Sequence, residues 1–67
     1  MTAMNDKDKA LIIRQCSDAG SQLEFTSAEA ITIRKLSDDQ FPQAIDKLVM
    51  QTEYSLLLLK AARSIAV

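Results

Sequence analysis

Histidine and tryptophan are absent from this chain of 67 residues, and cysteine, glycine and proline occur once each. Without histidine, the commonest general base and metal ligand is missing. A single cysteine closes no internal disulfide, and with no histidine beside it there is no structural zinc set. One glycine cannot build a glycine-rich phosphate loop. No stretch is rich in proline, glycine or serine, so nothing marks a linker or a domain boundary. An excess of one charge is also lacking: eight Lys+Arg stand against nine Asp+Glu, a net charge of −1. Domains that live on phosphate backbones carry a basic excess, because neutralising phosphates supplies most of their affinity.

Long apolar runs are missing too. Leu56–Leu59 is the longest run of large apolar residues, and Lys60 and Arg63 close it, far short of the ~20 residues a membrane span needs. Met1–Lys9 is polar and has none of the apolar core of a secretion signal. A lone cysteine without such a signal fits a reducing compartment. Together these absences predict a cytoplasmic protein that is not an enzyme, with no cofactor, no metal, no small-molecule substrate and no membrane association.

What is present is the composition of a folded domain, 48% hydrophobic and 25% charged. A chain this short buries only about 60% of the surface its unfolded form exposes. Ordering each residue costs roughly 1.5 kcal/mol, so burial and entropy nearly cancel. Small domains offset this with disulfides, a metal or a second subunit. Only the second subunit is open to this sequence. The organisation expected is a flexible tail over residues 1–5 and a single helical domain over 6–67.

Helix punctuation occurs at three places and predicts an all-α, three-helix fold, two short helices followed by a long C-terminal one. The first helix runs from about Asp6 to Ala19. Asn5 is its N-cap, Asp6 and Asp8 sit at the positive end of the dipole, and Gly20 stands where a left-handed residue would close it. Ile12, Ile13, Cys16 and Ala19 make its apolar stripe. Thr26-x-x-Glu29 reads as a capping box opening a second helix, with Arg34 and Lys35 in its last turn. The β-branched run Ile31-Thr32-Ile33 leaves an α+β alternative, a short hairpin within 22–35. Helix is favoured, because the intervening residues lack the Gly, Asn or Asp that hairpin turns want. Ser37-x-x-Gln40 is a second capping box. Pro42 belongs in the first turn of the long helix, which then runs to about Ile65.

That long helix has more apolar surface than two short helices can cover. Ile45, Val49, Thr52, Leu56 and Leu59 repeat at helical spacing and read as the core-facing stripe, flanked by Leu48. A second row, Met50, Tyr54, Leu57, Leu58, Ala61 and Ile65, is left over. Monomers rarely expose a contiguous apolar patch beyond a few hundred Å², so this row reads as a self-association or partner face. A homodimeric helical bundle is the simplest outcome.

Chemistry is scarce. Cys16 lies on an apolar stripe with no activating base and reads as a buried structural residue. The pairs Asp6/Asp8 and Asp38/Asp39 stand at helix starts, where capping explains them. Arg34, Lys35, Gln43 and Lys47 form a candidate polar contact surface. A helix-turn-helix can be drawn from Thr26–Leu36 and Pro42–Met50, but Asp38 and Asp39 would face the phosphates, so nucleic acid is disfavoured. The function expected is a stoichiometric regulator, inhibitor or accessory subunit that binds another protein. A small dimeric DNA-binding regulator is the alternative.

Overall fold

The computed structural model describes residues 4–66. Two long helices fold into one antiparallel hairpin. The first, α1, spans Asp6–Thr32 (27 residues), and the second, α2, spans Phe41–Ala66 (26 residues). Two 3-10 turns, Ile33–Lys35 and Asp38–Gln40, make the bend between them. The molecule is a rod of 54 × 15 × 15 Å. No strand occurs among the described residues, so the hairpin alternative within 22–35 is not adopted. The expected tail at 1–5 falls largely outside the described residues, while its last member, Asn5, is bound into the start of α1.

The helix starts form as their side chains dictate. Asn5 Oδ1 accepts from the Asp8 backbone N–H at 2.8 Å, and Asn5 Nδ2 donates to Asp8 Oδ2 at 3.2 Å. This satisfies an amide that helix geometry would otherwise orphan. At the bend, the Ser37 N–H donates to Gln40 Oε1 at 3.1 Å, the reach-back half of a capping box. The Ser37 hydroxyl also donates to Asp39 Oδ1 at 2.6 Å and lies 3.1 Å from Gln40 Oε1. Pro42 lies one residue into α2, where its missing N–H has no partner to lose.

The expected break between a first and a second helix is absent. α1 runs through Gly20, whose φ is not in the left-handed region, and through Thr26, which is buried mid-helix rather than capping anything. Three predicted helices are therefore two long ones. The β-branched run marks where α1 stops: Thr32 Oγ1 donates back to the Glu29 carbonyl at 2.9 Å, and the chain tightens into the 3-10 turn from Ile33. The Thr26–Leu36 segment of the drawn helix-turn-helix is thus the end of α1 and lies alongside α2.

The packing seam follows one strict pattern. On α1 it runs Ile12, Gln15, Ala19, Gln22, Thr26 and Glu29, continued by Ile33 and Leu36 in the bend. On α2 it runs Phe41, Ala44, Leu48, Gln51, Ser55, Leu58, Ala62 and Ile65, and every α2 residue that is not exposed lies on this row. The steps alternate three and four, the heptad spacing that keeps one stripe against a neighbouring helix. The seam is built from small and polar side chains. Its most buried members are Ala19 at 0% exposure, Ser55 at 1% and Ala62 at 4%. Small residues on one helix make room for larger ones on the other, as Ala19 does for Leu58 and Thr26 for Gln51, and larger apolar residues fill the two ends.

Candidate functional site

Choosing that seam sends the large apolar side chains outward. Ile45, Val49, Leu56 and Leu59, expected to face the core, are exposed, as is Thr52. The correction has a simple cause. Hydrophobic spacing alone fits three rows of α2, and close approach selects the row with Ala44, Ser55 and Ala62 on it. Leu48, placed at the flank of the expected stripe, is a seam residue. So are Leu58 and Ile65, which the sequence placed on the outer row. Cys16 is exposed rather than buried, because the seam takes Ile12 and Ala19 from its expected stripe and leaves Ile13 and Cys16 outside.

Of the predicted association face, Met50, Tyr54, Leu57 and Ala61 remain together and open to solvent, with Met50 and Leu57 each 64% exposed. They continue an unbroken three-four row that begins with Gln43 and Lys47. The structure thereby joins two sets of residues that the sequence kept apart. Arg34 and Lys35 lie in the bend, both exposed, with Asp38 and Asp39 a few residues on. Lys47 pairs with Glu29 across the hairpin, Nζ to Oε1 at 3.3 Å. A shallow depression lined by Gln22, Lys47, Met50, Gln51 and Tyr54 runs beside the row.

A second apolar surface covers the other flank of α2. Ile45, Val49, Thr52 and Leu56, with Leu48 and Glu53, line a shallow groove walled by α2 side chains alone. Sequence reasoning took this stripe for core and so missed it as a surface. The signal that identifies it is the competing heptad row of small residues, Ala19 and Thr26 on one helix and Ser55 and Ala62 on the other.

Among the described residues no group of three or more His, Cys, Asp or Glu side chains gathers as a metal site would require. No helix of the described residues is long and apolar enough to cross a membrane. Comparison with known proteins returns no match, whether to a family model, a curated protein or a solved structure.

Proposed function

We propose that this chain is a small, non-enzymatic, cytoplasmic interaction protein that binds another protein stoichiometrically, as a regulator, inhibitor or accessory subunit. One observation carries the reading: the exposed row Gln43, Lys47, Met50, Tyr54, Leu57 and Ala61 along α2. Its chemistry is that of a partner-binding face. Methionine adapts to irregular surfaces, and tyrosine offers a large apolar body with a polar tip. Lys47 and Gln43 supply polar contacts at one end, and Arg34 and Lys35 extend them into the bend. An amphipathic helix laid along such a row meets anchors at i, i+3/i+4 and i+7.

The test is capture by the tagged full-length chain from the cells that make it, in parallel with a Leu57→Glu variant of unchanged circular dichroism. The expected result is one protein recovered in stoichiometric amount by the unaltered chain and lost from the variant. Equal recovery by both, or no stoichiometric protein with either, overturns the assignment of this face.

A further inference from the structure

The opposite flank of α2 fits a different occupant. We propose that the stripe Ile45, Val49, Leu56 and Leu59 takes a second copy of this chain, the two α2 helices running antiparallel about a two-fold axis near Glu53.

Area argues for an obligate partner. The isolated chain exposes 5448 Å², whereas a compact monomer of its mass exposes ~4,200 Å². The surplus exceeds the ~800 Å² that each partner contributes to a stable interface of standard size. Its radius of gyration, 15.9 Å, likewise exceeds the ~11 Å expected of a compact chain this long. The seam inside the hairpin is small and partly polar, so most large apolar side chains gain burial only from association. Obligate interfaces are also the more hydrophobic kind, and this flank is the more apolar of the two. In an antiparallel pair, residues that follow seam positions by one lie on a common side. That side therefore also receives Leu23 from α1, and the charge in its middle is confined to Glu53 at one edge.

Charge selects the direction, and charge together with overlap of the apolar stripe selects the register. Asp46, Glu53 and Lys60 recur every seven residues along one edge of the stripe. A parallel pairing sets this charged edge against the uncharged seam-side edge of the second copy, Leu48, Ser55 and Ala62, and leaves the charges without partners. An antiparallel pairing in which Val49 meets Leu59 of the second copy sets Asp46 against Lys60 of that copy, twice. Only Glu53 then faces its own counterpart. Slipping by one heptad one way brings Asp46 against Glu53 twice; slipping the other way sets Glu53 against Lys60 twice but carries Ile45 past the end of the second copy's α2, so the stripe loses part of its cover. The angle between this stripe and the seam is close to a right angle, so two hairpins joined this way close into a four-helix bundle.

The dimer rests on the interaction-protein reading only in that both use exterior faces of α2, and the tests separate them. Light scattering of the full chain over a hundredfold range of concentration gives a mass twice 7.4 kDa if the proposal holds. Val49→Glu gives a monomer of unchanged helicity that still captures the protein lost by Leu57→Glu. Asp46→Lys weakens the dimer about tenfold, since two pairs become repulsive. Adding Lys60→Asp to it restores the affinity, and Glu53→Gln tightens the dimer. A monomer throughout the range, or a dimer indifferent to Val49→Glu, overturns the proposal. Failure of Lys60→Asp to rescue Asp46→Lys overturns the antiparallel register even where both variants fold.

Discussion

Thr26 Oγ1 donates to Gln51 Oε1 at 2.8 Å, joining residues 25 apart in sequence across the middle of the hairpin. Gln22 Nε2 donates to the same hydroxyl at 3.4 Å. Gln51 Nε2 donates onward to Glu29 Oε2 at 3.2 Å, and Lys47 reaches the other oxygen of that carboxylate at 3.3 Å. A polar layer set between apolar ends specifies register, because a slip by one heptad leaves these groups facing Leu48 or Leu58 with no partner. The hairpin is thus pinned by directional bonds where its small side chains give little burial to do so.

Substitutions at Thr26 distinguish this seam role from a capping role. Thr26→Val keeps the shape and removes the donor to Gln51, and is expected to cost about 1 kcal/mol in urea unfolding at fixed protein concentration. Combining it with Gln51→Leu should cost less than the two singles together, since the shared bond is lost only once. Thr26→Asp would be harmless at a helix N-cap. In the seam it puts an unpaired charge near the Glu29 carboxylate, and a loss of 2 kcal/mol or more is expected (~2 as the floor).

Gly20→Ala should stabilise the chain. Its φ is not positive, a Cβ there meets nothing within 4 Å, and it lies inside a continuous helix. Alanine in such a position gains roughly 0.5–1 kcal/mol over glycine. Thermal unfolding at matched concentration reads the effect. Had Gly20 closed a helix in a left-handed conformation, the same substitution would be destabilising.

The helical class was legible because local chemistry sets it. Asn5 with Asp8, and Ser37 with Gln40, bind as their spacing predicts, and Pro42 sits within the first turn of the helix it opens. Helix number was not legible from Gly20 and Thr26-x-x-Glu29, because those are permissive signals that tertiary contact overrides: Thr26 and Glu29 find partners on α2 that are better than a cap. The outer row was legible as an exposed apolar face at Met50, Tyr54, Leu57 and Ala61. The stripe with Ile45 and Val49 was mistaken for core for a physical reason. Ranking rows by side-chain size finds the most apolar stripe, while helices pack where small residues such as Ala19, Ser55 and Ala62 let their backbones approach.

Lys47 lies where the hairpin's polar layer meets the proposed partner face. Its side chain is 62% exposed against 30% for Glu29, so the pair is solvent-screened and worth little to folding. Lys47→Met should change stability by less than about 1 kcal/mol, with Gln51 still donating to Glu29. Partner affinity, by contrast, should fall and lose part of its salt dependence. Isothermal titration at two ionic strengths with the captured partner checks both. A stability loss larger than the affinity loss would assign Lys47 to the fold alone.

Leu57 and Leu58 are adjacent in sequence and about 100° apart around the helix, and they divide the two roles of α2. Leu58 stands in the seam, across from α1 near Ala19, whereas Leu57 is 64% exposed on the outer row. Leu58→Glu buries a charge with no partner among alanines and should unfold the hairpin, costing at least about 3 kcal/mol with loss of helical ellipticity. Leu57→Glu should leave ellipticity and the unfolding midpoint within about 0.5 kcal/mol of the unaltered chain. Its defect should appear only in capture of the partner. Two equal losses of helicity would mean that both leucines are core, and the outer row would then have no free face to offer. Helicity retained in both variants would place the seam elsewhere on α2, and the heptad row through Ser55 and Ala62 would not be the contact between the helices.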